Sequence, residues 1–111
     1  MTTIIFDTDP ITFRISLIVN GHANYDERGK DLVCASVSIL TLTIANIIAD
    51  AKERGVVAEN TAIQVNDGDV YINCHCLDTG SYIGILGTFE TVLTGYKLIA
   101  EEYPKNVVVK T

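Results

Sequence analysis

Along residues 12–20 apolar and polar positions alternate, with Phe13, Ile15, Leu17 and Val19 on one side and Arg14, Ser16 and Asn20 on the other. A period of two is that of a strand with one buried face. Ile18 breaks the alternation on the polar side, and Asn20-Gly21 ends the run. Before it, residues 3–7 read as a short strand closed by the turn at Asp9-Pro10. A second pair of runs, 61–66 and 70–77, flanks Asp67-Gly68, a dipeptide that favours tight hairpins. In its second arm Val70, Ile72, Cys74 and Cys76 share one face while Tyr71, Asn73 and His75 share the other. Residues 106–110 form a last strand.

Two longer segments separate these runs. Residues 31–54 predict a helix with Asp31 as N-cap, Lys52 and Arg54 at its C-terminal end and Gly55 as its stop. Its many β-branched residues lower helix propensity, yet more than twenty residues without a turn signal are too long for one strand. Apolar residues on nearly all sides predict burial on several sides. Residues 81–103 predict the second helix, with a stripe of Tyr82, Leu86, Phe89, Leu93, Tyr96 and Ile99, ended by Pro104. Gly84, Gly87 and Gly95 weaken it, which predicts close packing against a neighbour. The order ββαββαβ gives an α+β two-layer sandwich, two helices on one face of a mostly antiparallel five-stranded sheet. The opposite face carries Ile18, Tyr71 and His75 and is expected to serve as a homodimer interface.

At 111 residues the chain is expected to be a single domain, 1–111. A formal charge of −6, with Lys and Arg scattered, argues against nucleic acid as a direct partner and suits a basic protein or peptide. The start of the chain lacks a basic segment followed by a long apolar run, so no signal peptide is expected. The apolar stretch 39–48 is interrupted by Thr41, Thr43 and Asn46 and is too short to span a bilayer, so no membrane partner is expected. Three cysteines, an odd number, point to free thiols in a reducing cytoplasm.

The candidate chemistry lies between the second strand and the first helix. Gly21-His22-Ala23 ends the strand, and Cys34 follows Asp31 as the third helical residue. Backbone N–H groups there lack intrahelical partners, and the positive end of the helix favours an anion, the reactive form of a thiol. A nearby imidazole supplies a base. The alternative for Cys34 is a small apolar residue packed at a helix start. Ser38, one turn on, either contacts a substrate backbone or bonds its own helix carbonyl. Asp31 either caps the helix or orients the His22 ring. The amides of Cys34 and Ala35 are the expected oxyanion donors. Cys74-His75-Cys76 places His75 opposite the two cysteines, so no metal site is expected, and His75 is the rival base. No phosphate-binding loop or dinucleotide fingerprint is present in the sequence, and no cofactor is expected.

Gly21-His22-Ala23, Tyr25-Asp26, Gly29 through Ala35 and Val37-Ser38 together resemble the signature of the ribosomal-processing cysteine protease Prp family, and the resemblance runs on to 99–105. Asn24 departs from the expected glycine, and Asn is the residue that best tolerates left-handed geometry. Leu32 and Ser36 stand where Ile and Ala are more usual. The resemblance implies a bacterial cysteine endopeptidase with catalytic His22 and Cys34, supported by Gly21, Ala23, Asp31, Ala35 and Ser38. It also implies a homodimer. The implied substrate is the N-terminal extension of a large-subunit ribosomal protein, the twenty-seventh, cut after an aromatic pair during ribosome maturation. The competing class is a non-enzymatic dimeric module that binds a peptide or a ribosome-associated partner.

Overall fold

The structure, a computed structural model, describes residues 1–27 and 30–111. Its elements are β1 (Thr2–Asp9), β2 (Arg14–Asn20), α1 (Leu32–Glu53), β3 (Ala62–Asn66), β4 (Asp69–His75), α2 (Thr79–Glu102) and β5 (Val107–Lys110). The strands form one sheet in the order β3-β4-β2-β1-β5. Every pair is antiparallel except β1–β5, which α2 makes parallel by returning the chain across the sheet.

Local chemistry explains where the boundaries differ from the pattern. Asp9 Oδ1 accepts from the amides of Ile11 and Thr12 at 2.9 and 3.4 Å, and Phe13 has φ +60°. The turn therefore consumes residues 12 and 13, and β2 starts at Arg14. Asp78 caps α2 by accepting from the Ser81 amide at 2.8 Å, so Thr79-Gly80 is helical. At the end of α1, Arg54 is the C-cap and Gly55 turns out at φ +72°.

Strand registers bring Ile4 opposite Val19, Leu17 opposite Ile72 and Ile15 opposite Cys74. All six are buried, and they share one core with the inner sides of both helices. Between the helices, Thr41 Oγ1 and Tyr96 OH lie 2.7 Å apart in buried surroundings. Burial pushes the Tyr96 phenol up to about 12, with the Thr41 bond pulling the other way. A Cβ added at Gly95 would come within 2.8 Å of Leu40 Cδ1, so this glycine permits the helix contact. Gly84 and Gly87 face open space instead, because the contact with α1 falls at Gly95.

The expectation that α1 is enclosed on several sides is corrected. It buries Val33, Val37, Thr41, Ile44, Ala45, Ile48 and Ala51, whereas Leu32, Ile39, Leu42 and Ile47 are 72, 63, 43 and 41 % exposed. A two-layer fold leaves the outer side of a helix without a neighbour. By length and composition both helices reach what a membrane crossing needs. For α1 this is because the helix extends beyond residues 39–48 in both directions. Both helices here rest on the sheet.

Candidate active site

Cys34 stands in the first turn of α1, half-buried against the core. Asp31 sets that turn. Its Oδ1 accepts from the Cys34 amide at 2.8 Å, and its Oδ2 accepts from the amides of Tyr25 at 2.9 Å and Asp26 at 3.3 Å. One carboxylate thus ties the helix start to the loop that leaves His22. Burial pushes the Asp31 carboxyl up. Donation from Cys34, Tyr25, Asp26 and Val33 outweighs it and leaves the group below its ordinary range, ionised at neutral pH. Among the described residues neither Asp31 oxygen bonds His22. Of its two expected roles, the structure displays the cap. Gly29 of the motif, with Arg28, lies outside the described residues.

The same cap corrects the expected oxyanion donors. The Cys34 amide is spent on Asp31 Oδ1, and the Ala35 amide donates to the Asp31 carbonyl at 3.0 Å as the first rung of the helix. Ser38 Oγ, by contrast, has no hydrogen-bond partner among the described residues. It is Ser36 that bonds back to the helix, to the Leu32 carbonyl at 2.7 Å.

His22 is exposed and is placed by backbone on two sides. Gly21 has φ +93°, and a Cβ there would strike the Met1 carbonyl oxygen. The Gly21 amide donates to the Gly68 carbonyl at 2.9 Å. The His22 ring then lies over Gly68, so close that a Cβ on that glycine would come within 2.6 Å of Nε2. Beyond the ring, Ala23 is buried and its carbonyl accepts from Asn106 Nδ2 at 2.9 Å. Asn24 adopts φ +53°, the left-handed geometry that its departure from glycine still permits. Tyr25 then packs edge-on against Tyr103, with ring centroids 5.1 Å apart.

Two concavities meet at this point, and His22, Cys34 and Ser38 line both. The first, about 250 Å³, has walls from Val19, Val37, Thr41, Leu42, Val65 and Val70 and a rim at Asp67-Gly68-Asp69. The second, about 390 Å³, is bounded by Asn24, Asp26, Asp31 and Ala35. Among the described residues no Lys or Arg lines either one. Gly68 and Asn106 were not legible as site residues. The Asp67-Gly68 turn signals a hairpin, but only the β2–β4 register carries it under His22, and Asn106 lies 83 residues from the carbonyl it holds.

The other sulfurs lie elsewhere. Cys74 and Cys76 are buried in the core. Burial, with the neighbouring Cys76, pushes the Cys74 thiol up to about 12, and burial also raises that of Cys76. His75 points to the uncovered face of the sheet, where its Nε2 lies 3.2 Å from Asn73 Nδ2. As Cys34 is on the helical side, His75 is excluded as the rival base.

Comparison with known proteins decides the class of this site. Residues 1–108 match the family model described as cysteine protease Prp. The chain belongs to the cysteine protease Prp family. The ribosomal processing cysteine protease Prp of Staphylococcus aureus is 30% identical over 91 residues, which cover 82% of this chain and 80% of that protein. A crystal structure of Staphylococcus aureus Prp with a covalently linked product peptide superimposes with a TM-score of 0.72 at 26% identity, over 99% of this chain and 98% of that one. A Streptococcus mutans protein of solved structure gives a TM-score of 0.64 at 28% identity, over 99% and 92% of the two chains. As a Prp family member this chain is a cysteine peptidase, and the non-enzymatic binding module falls away.

Proposed function

We propose that Cys34 is the nucleophile and His22 its base in a single-domain endopeptidase of a bacterial cytoplasm. Its substrate would be the N-terminal extension of a large-subunit ribosomal protein, the twenty-seventh, removed during ribosome maturation. The observation that carries this reading is that the half-buried thiol at the start of α1 and the exposed His22 ring line the same two concavities. His22 takes the Cys34 proton and Sγ attacks the scissile carbonyl carbon. As the tetrahedral adduct collapses, the C–N bond breaks and the imidazolium returns its proton to the leaving amine, leaving a thioester. Water, deprotonated by His22, then hydrolyses the thioester and restores the thiol. The Ser38 hydroxyl, on the Cys34 side of α1 and without a partner among the described residues, is the donor that meets the oxyanion. The covalently linked product peptide in the Staphylococcus aureus relative fits a covalent route. Asp26, Asp31, Asp67 and Asp69 around the two concavities favour a cationic peptide, as segments of ribosomal proteins commonly are.

The test is incubation with a synthetic peptide spanning that extension, followed by mass spectrometry, with iodoacetamide labelling in parallel. One cut after the aromatic pair is expected. Cys34 should alkylate near neutral pH and be protected by peptide, while Cys74 and Cys76 lag because burial keeps them as thiols. Equal labelling of all three cysteines, or an intact peptide, would refute the assignment.

A homodimer of this chain would have two uncovered surfaces to draw on. The open sheet face carries Ile18 and Tyr71, already half-buried, beside the Arg14–Asp7 pair at 2.9 Å. The outer side of α1, away from the concavity that Leu42 lines, exposes Leu32, Ile39 and Ile47. It is the more apolar, and we assign the pairing to it. Sedimentation should report twice the 12.1 kDa chain mass, and Ile39→Glu should return the monomer. A wild-type monomer at tens of micromolar counts against pairing of any kind.

A further inference from the structure

The sheet ends at β3 on the side that holds Cys34 and His22, and among the described residues no strand pairs with that edge. Natural edge strands are blunted by charge, proline, bulges or a covering segment. β3 reads Ala62-Ile63-Gln64-Val65-Asn66, without charge or proline, and its burial falls toward the end nearest His22. Among the described residues no hydrogen bond reaches Ile63 or Val65 from outside the β3–β4 pair.

Ladder parity shows which groups of β3 are free. Backbone groups in an antiparallel ladder point alternately to one neighbour and the other. The Gly21 amide bonds the Gly68 carbonyl and the Cys76 amide bonds the Phe13 carbonyl, so even-numbered residues of β4 face β2. Odd-numbered residues of β4 therefore face β3, as the bond from the Ala58 amide to the His75 carbonyl confirms. Asn66, Gln64 and Ala62 are opposite Asp69, Tyr71 and Asn73, and their backbone groups are used in pairing with β4. The N–H and C=O groups of Ile63 and Val65 are left pointing outward. The Val65 side chain, 46 % exposed, meanwhile forms one wall of the concavity that ends at Cys34 and His22, with Leu42 of α1 as another.

We propose that the substrate binds as a sixth strand on the free edge of β3. Its backbone pairs with Ile63 and Val65, and alternate side chains enter the groove between that strand and α1. The proposal rests on the peptidase reading above and adds to it how the peptide is held. Main-chain pairing supplies affinity with little demand on sequence, while the groove selects the side chains that enter it. Val65 and Cys34 line one concavity, so a paired strand delivers its scissile carbonyl to Cys34 in extended form.

The test uses the peptide described above. In Cys34→Ala protein, which holds the peptide uncut, residue-resolved hydrogen exchange should slow at the amides of Ile63 and Val65 and stay unchanged at Gln64. In the otherwise wild-type enzyme, Val65→Pro removes one outward N–H while sparing the β4 ladder. It should raise KM roughly three- to tenfold, the worth of one hydrogen bond. Val65→Thr keeps the amide and alters only the groove wall, so its KM should rise by less than that of Val65→Pro. Cleavage by wild type with unchanged exchange at 63 and 65, or with an unchanged KM for Val65→Pro, overturns edge pairing and leaves the peptidase reading standing. Neither cleavage nor binding overturns both. Alternating protection without cleavage supports the edge and overturns the ribosomal substrate.

Discussion

Cys34→Ala is expected to abolish peptide cleavage while leaving the protein folded, lowering kcat by roughly 10⁴- to 10⁶-fold, the range found when a nucleophile–base unit loses its nucleophile. The fold should tolerate the change. Asp31 caps α1 through the backbone amide of residue 34, which alanine keeps, and alanine is the best helix former. His22→Ala should fall to a similar residual rate, and the double variant should be no worse than either single one, because the two groups act as a unit. His75→Ala is the matched control. That ring is on the uncovered face of the sheet, and its loss should leave kcat/KM within about twofold of wild type, as a surface substitution does. Measurable turnover by Cys34→Ala, confirmed by mass spectrometry at the same bond, would remove the thiol from the mechanism.

Much of this site could be read along the chain because its determinants are local. Asp31 announces a cap by its place before an apolar run, and Asp67-Gly68 announces a turn by the chemistry of two residues. Alternation in β2 and β4 assigned each side chain to a face before any register was known, which is why His75 could be set apart from Cys74 and Cys76. What escaped was set by distance in sequence or by competition for one group. Asn106 finds the Ala23 carbonyl only after β5 has joined the sheet. The amides of Cys34 and Ala35 were orphans by position, yet the Asp31 side chain and carbonyl claim both. Apolar residues around α1 implied enclosure. With two layers only the inner arc of that helix finds a neighbour, and the remainder stays exposed. The difference between a helix enclosed in a protein and one on its surface is not written in its own residues.

The second large effect is expected at Gly68, a residue with no chemistry of its own. Its φ of +69° makes any side chain strained, by about 1–2 kcal/mol for an L-residue. A Cβ there would also lie 2.6 Å from Nε2 and 2.9 Å from Cε1 of His22, closer than contact allows. The backbone below cannot yield, because the Gly68 carbonyl is fixed by the Gly21 amide at 2.9 Å. The ring must therefore move, and a displacement near 1 Å in a catalytic group costs on the order of 10²-fold. Gly68→Ala should accordingly lower kcat/KM about 100-fold, mostly in kcat, together with a drop of several degrees in Tm. Gly55→Ala separates the two causes. Its φ is +72°, nearly the same strain, but nothing lies within 4 Å of the added carbon. It should lower Tm by a similar amount and leave kcat/KM unchanged. Equal activity losses in the two variants would assign the effect to stability and detach the hairpin turn from the placement of His22. A loss confined to Gly68→Ala makes that turn the floor on which the His22 ring rests.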